Sequence, residues 1–176
     1  MKTKLVSVVG LLLLLTTLSA CTSTQPSNAS GVARSATSGG KADACSLLTK
    51  SDAEELMGEA ASSPTSSQVG ETVSRCGYMS QSGSKRVSLL ERQASSRSEA
   101  VQIFQKAQNE SKGLSGSDAQ VVPGFGDAAF WAGGTLKQLN VLKGEVWLIV
   151  SAHFGSDNDP LAASESAAKK ILAHLE

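Results

Sequence analysis

Aromatic side chains are scarce: one Tyr, two Trp and four Phe among 176 residues, or 4%. A stacking surface for single-stranded nucleic acid, or an aromatic platform for sugar rings, has little material. Charge of one sign is also lacking. Sixteen Lys and Arg balance sixteen Asp and Glu, so the formal net charge is zero. The basic excess that follows a phosphate backbone is missing, and nucleic acid is not expected as a partner. Two His and three Cys leave few ligands for a metal. Neither a Cys-x-x-Cys pair nor a Gly-x-Ser-x-Gly nucleophile elbow occurs. The only long apolar run, Leu5–Leu15, is eleven residues and contains Ser7 and Gly10. A membrane-spanning helix needs about 20 apolar residues, so this one is too short to be a stable anchor.

What that run does offer is an address. Lys2 and Lys4 form a positive leading segment, Leu5–Leu15 an apolar stretch of signal-peptide length, and small residues follow. Leu18-Ser19-Ala20-Cys21 resembles the bacterial lipobox. The resemblance implies that residues 1–21 are a lipoprotein signal peptide, with Cys21 thioether-linked to diacylglycerol and then N-acylated with a fatty acid such as palmitate. Each buried CH₂ contributes about 0.8 kcal/mol, and two or more chains anchor stably where one does not. The plainer alternative is an ordinary secretory signal with a chance cysteine. Loss of Lys2 and Lys4 would leave the mature part at net −2. Thr22, rather than Asp, after Cys21 implies the outer membrane in a Gram-negative cell, and the outer face of the cell membrane in a Gram-positive one.

Residues 22–43 are rich in Ser, Thr and Gly, without hydrophobic period, and read as a flexible tether with a reach of roughly 25 Å. The alternative is a docked first strand. Residues 44–176 then form one globular domain, long enough to bury about two-thirds of its unfolded surface. With Cys21 acylated, Cys45 and Cys76 are the two thiols left in an exported domain. One intrachain disulfide is expected. Zinc would need His153 and His174, far along the chain.

Ser51 with Glu54 suggests a capping box opening a short helix that ends at Gly58. Residues 59–70 are Ser-rich and irregular, with at most a short strand. Thr72–Met79 and Arg86–Arg92 alternate as strands around the turn Gln81–Lys85. Ser96–Glu110 is the second helix, striped by Ala100, Val101, Phe104 and Ala107, and Ser111–Asp118 reads as a loop. Asp127–Ala132, Leu136–Leu142 and Glu145–Phe154 are strands, with Lys143-Gly144 as a hairpin turn. Glu145–Phe154 is apolar on both sides and reads as a central strand. Asp159-Pro160 starts the last helix. The order α-β-β(-β)-α-β-β-β-α predicts an α+β domain: a curved antiparallel sheet of about five to six strands with helices packed on it.

Four patterns invite chemistry. Gly124-Phe-Gly126-Asp-Ala-Ala129 fits Gly-x-Gly-x-x-Ala, but Pro123 precedes it and an apolar strand follows, so the glycines read as a tight turn and not a dinucleotide site. Asp157-Asn158-Asp159 resembles the start of a calcium loop that lacks its glycine and distal Glu, and Asp159 already has a capping role. Ser151 and His153 share one strand face, but a hydrolase also needs a carboxylate partner. Trp131, Trp147 and His153 are the candidate binding face, against the plainer reading of the indoles as core with one satisfied N–H. No catalytic residue, metal or cofactor is assigned.

Cys45-Ser-Leu-Leu-Thr49 before a short helix ending in Gly58, then Arg75-Cys76-Gly77-Tyr78, the stretch Val122–Trp131 with its Gly-x-Gly-Asp-x-Ala turn, and Leu139–Gly144 resemble a family of bacterial envelope lipoproteins of unknown function. That family is best represented in actinobacteria, and the resemblance runs from Cys45 to the end. It implies a fold similar to the Mog1/PsbP type, a curved antiparallel sheet with helices on both sides, and it brings no catalytic residues. The expected function is a lipid-anchored, non-catalytic binding or assembly module for an envelope protein or small ligand. The alternative is a hydrolase-like envelope enzyme.

Overall fold

The computed structural model describes residues 42–175. The expected signal peptide at 1–21, with Cys21, and the expected tether up to residue 41 lie outside the described residues. Ala42 and Asp43, read as the end of the tether, belong to the fold: the buried Ala42 donates its N–H to Glu71 O at 3.0 Å, and Asp43 caps the first helix.

The element order is α1 Ala44–Leu47, α2 Lys50–Met57, β1 Thr65–Val69, β2 Val73–Met79, β3 Arg86–Gln93, α3 Arg97–Ser115, β4 Gln120–Val121, β5 Ala128–Ala132, β6 Gln138–Lys143, β7 Val146–His153 and α4 Pro160–Ala173. The strands form one sheet in the order β1-β2-β3-β7-β6-β5-β4, every neighbouring pair antiparallel. The α+β class stands. The strand count is seven rather than five or six, because β1 and the two-residue β4 extend the edges. Neither carries the apolar alternation that marks a strand in sequence: every residue of both is exposed.

Two meanders build this sheet. Strands β1–β3 form the first and β4–β7 the second. They join at the centre through β3 and β7, paired from Arg86↔His153 to Gln93↔Val146. The connection between them is α3, which must cross a sheet face to carry the chain from the centre to the far edge. β7 is therefore central, as its two apolar sides require.

The inner face is closed. Cys76, Val87, Leu89, Leu139, Val141, Leu148 and Val150 have no exposed surface; α4 covers β6 and β7 with Ala167, Ala168 and Ile171, and α1 lies against β2 and β3. Each fully buried Val, Leu or Ile contributes about 1.5–3 kcal/mol. Asp159 N-caps α4 through Leu161 N–H at 3.1 Å, with Pro160 in the first turn as expected. Because α4 packs through alanines and the buried Ser164, it lies close to the sheet, and Ser164 Oγ accepts Ala152 N–H at 3.2 Å.

Local boundaries depart from the sequence reading in three places. The cap of α2 is Thr49 with Asp52, not Ser51 with Glu54; the two side chains cap each other's backbone N–H reciprocally, while Glu54 Oε1 turns to Ala61 N–H. Helix α3 continues to Ser115 instead of ending near Glu110. Ser111 and Ser115 are buried on it, and Gly116 at φ 80 supplies the left-handed stop. The β6–β7 turn is Gly144-Glu145, because Lys143 pairs with Val146. The disulfide is present: Cys45 and Cys76 are bonded, with Cα atoms 5.1 Å apart and the residues 31 positions apart in sequence. It ties α1 to β2.

Candidate binding face

The outer face is divided. Phe104 and Ala100 of α3 pack on Phe130, Ala132 and Leu142, the Phe104 and Phe130 rings meeting edge to face at 5.1 Å. That covers the outer side of β5 and β6. Among the described residues no helix lies over the outer side of β1, β2 and β3. Alternation sends Arg75, Arg86, Leu90, Arg92, Ile149, Ser151 and His153 to this open half. The register sets them in rows: Arg86 opposite His153, Ser88 opposite Ser151, Leu90 opposite Ile149, Arg92 opposite Trp147.

Charge is segregated here in a way that the net charge of zero conceals. Strands β1, β2, β3 and β7 contain a single carboxylate, Glu91, and it faces inward. Burial pushes the Glu91 carboxyl up. Hydrogen bonds from Ser74, at 3.2 Å, and from the Asp43 backbone pull it down, while the Asp43 charge pushes it further up; the result is a pKa above the ordinary 4.5. The counter-charge nearest Arg92 comes from α3: Glu99, in its first turn, is held below its ordinary range by hydrogen bonds from Ser95, with a further contribution from Arg92.

At the far end of the open half lies a cleft of about 540 Å³. Its walls include Arg86 and His153 from the sheet, Ser151 beside them, Lys137 from the β5–β6 loop, and Pro160 at the start of α4. The loop is fixed against the end of α3. Thr135 N–H donates to Ser115 O at 3.0 Å, and a Cβ on Gly134 would collide with that same carbonyl. Lys137 then takes φ 51, the one positive φ outside glycine among the described residues.

The structure divides the candidate residues Trp131, Trp147 and His153 between two faces. Trp131 pairs with Leu139 and packs on the inner core. Trp147 is outward and half-buried, and its Nε1–H donates to Asn140 Oδ1 at 3.2 Å, the satisfied indole of the plainer reading. His153 alone reaches the cleft. Arg86 and Lys137 were not singled out by sequence. The available signal was a count of charge by strand face: three arginines and no carboxylate on the polar side of β2, β3 and β7.

The remaining motifs have structural work. Gly124 and Gly126 adopt φ 87 and 53 in the loop before β5, and a Cβ on Gly126 would strike the Leu142 carbonyl. Asp127 accepts Gly144 N–H at 2.9 Å and pairs with Arg97 at 3.1 Å, so the Gly-x-Gly-Asp turn pins the β6–β7 hairpin and the start of α3. His174, at the end of α4, meets Asp52 Oδ2 at 3.0 Å. Burial raises the Asp52 pKa, but hydrogen bonds from Thr49 and from His174, with the His174 charge, outweigh it and hold it below 3.8. Thr49, Asp52 and His174 do not make a nucleophile relay. The hydroxyl donates to the carboxylate, and the imidazole meets only the carboxylate. No family model, curated protein or solved structure matches this chain.

Proposed function

We propose that the protein is a non-catalytic binding or assembly module of the bacterial cell envelope, tethered to a membrane through a lipidated Cys21. It presents the open half of its outer sheet face to an envelope protein or small ligand. The location that follows is the outer membrane in a Gram-negative cell, or the outer face of the cell membrane in a Gram-positive one. Membership of the actinobacterial lipoprotein family, with its Mog1/PsbP-like fold, is part of the same proposal. Helices on both faces of an antiparallel sheet agree with it.

One observation carries the binding reading. The face beside β3 keeps half-buried Leu90 and Ile149 among arginines that form no ion pair within 4 Å among the described residues, on strands whose opposite side is fully packed. A rigid strand platform with an uncovered mixed face suits recognition. A hydrolase would have to use Ser151 and His153, and no carboxylate lines their cleft.

A photo-crosslinking residue placed at Leu90 or Ile149 of the full chain in cells tests this. Adducts are expected from those positions and not from Lys169, exposed on α4. Equal yields from both faces would reject the reading. A turnover on ester substrates that Ser151→Ala abolishes at unchanged thermal midpoint would replace it with the enzyme. The anchor is checked by intact mass: membrane-extracted chain should exceed its polypeptide by diacylglycerol and a further acyl chain, and Cys21→Ser should lose both.

A further inference from the structure

Arg86 and His153 are directly opposed across β3 and β7 on the same face. Directly opposed side chains have Cβ atoms about 5 Å apart, so the guanidinium and the imidazole can reach one ligand. Lys137 brings a second cation into the same cleft. None of the three forms an ion pair among the described residues. Asp159 accepts Leu161 N–H as the cap of α4 and Asp157 accepts from Ser156, and neither forms an ion pair with these residues.

The backbone at Lys137 gives an independent indication. A left-handed conformation costs a non-glycine residue about 1–2 kcal/mol, and glycine adopts it freely. The loop nevertheless holds a lysine at φ 51, in the cleft wall. Strain of this kind concentrates where a side chain is needed for binding.

We infer, building on the binding reading above, that this cleft is an anion subsite for a phosphate group, carried either by a lipid headgroup or by a free phosphorylated ligand. Arg86 supplies a planar fork of donors, Lys137 a point charge, and His153 and the Ser151 hydroxyl further donors. A carboxylate would balance one of the two formal positive charges, whereas a phosphate monoester carries up to two charges and three acceptor oxygens. The volume of about 540 Å³ leaves room for an organic body behind the phosphate.

The test uses the full chain in nonionic micelles at fixed ionic strength, followed by the NMR shifts of the His153 ring. Inorganic phosphate, glycerol phosphate, and micelles doped with phosphatidic acid, a lipid monoester, or with zwitterionic phosphatidylcholine as the control are titrated in turn. At least one phosphate source should saturate with Kd at or below about 1 mM. Preference for phosphatidic acid micelles over glycerol phosphate identifies a headgroup; the reverse identifies a free ligand. Lys137→Gly keeps the loop conformation while removing the cation, and Arg86→Gln keeps the strand. Each should weaken binding about tenfold or more, as expected for one lost charge-assisted contact. Arg75→Gln, on the same face but outside the cleft, should change it less than about twofold. Absence of saturation in every arm, or equal binding by Lys137→Gly and Arg86→Gln, overturns the subsite. Adducts from Leu90 and Ile149 would then still report a binding face of other chemistry, and their absence as well would remove both.

Discussion

Leu148 and Ile149 are neighbours in β7, and they belong to different regimes. Leu148 faces inward, has no exposed surface, and packs in the closed layer between sheet and helices. Ile149 faces outward, half-buried, between Leu90 and Asn140. The inner face contains the disulfide, the inward carboxylate and most of the apolar burial. The open half of the outer face has arginines, hydroxyls and a histidine, with little that holds the fold together. Alternate residues of one strand thus face a closed core and an open surface, so the stability of the fold and the proposed recognition can be varied separately.

The widest separation should come from truncation. Leu148→Ala should lower unfolding free energy by about 2–5 kcal/mol in urea titrations. Ile149→Ala should cost less than about half as much, since its outer side already meets solvent. Equal losses would erase the distinction between the faces.

Removing the tie between α1 and β2 comes next. Reduction, or Cys45→Ser with Cys76→Ser, should cost about 3–4 kcal/mol for a loop of this length. Peptide mapping of unreduced protein should recover the linked pair.

The capping box follows. Thr49→Ala should cost about 1 kcal/mol at neutral pH. Asp52 has its pKa lowered in the folded state. Its contribution is therefore present above the unfolded value near 3.8 and is lost as pH falls through the folded pKa. The penalty for Thr49→Ala should shrink in that acid window, read by thermal melts.

Glu91 should show the opposite sign. Its folded pKa is raised, so its favourable contribution is present below the unfolded value near 4.5 and is lost as pH rises through the folded pKa. Glu91→Gln should therefore raise the thermal midpoint at pH 7 relative to the parent, with a smaller gain or none at pH 4. A variant less stable than the parent at pH 7 would mean that the ionised carboxylate contributes net stability through Ser74.

The sequence made the inner face legible because alternation is loud when one side must be apolar. Val87 and Leu89 against Ser88 and Leu90, or Leu148 and Val150 against Ile149 and Ser151, fix both the strands and their facing. The start of α4 was legible for a similar reason, since Asp159-Pro160 has one strong local meaning. Strand β1 was less so, because Thr65–Val69 is exposed throughout and is recruited by pairing with β2 rather than by burial. The end of α3 was masked by serines that read as loop, yet Ser111 and Ser115 are covered. The cleft depends on distant segments: Arg86 and Lys137 are 51 positions apart, and only the β3–β7 junction and the loop docked on α3 bring them to one place. A net charge of zero further obscured it, because balance over the chain says nothing about balance on one face.

The most direct test of the division of labour is Ile149→Glu in the full chain, assayed together for urea midpoint and for crosslink yield from Leu90. The account predicts a domain that stays folded, with a loss of stability well below that of Leu148→Ala. It also predicts a collapse of adduct formation, because a carboxylate then sits in the middle of the cationic open face. Unfolding comparable to Leu148→Ala, or an undiminished yield of adducts, would contradict it.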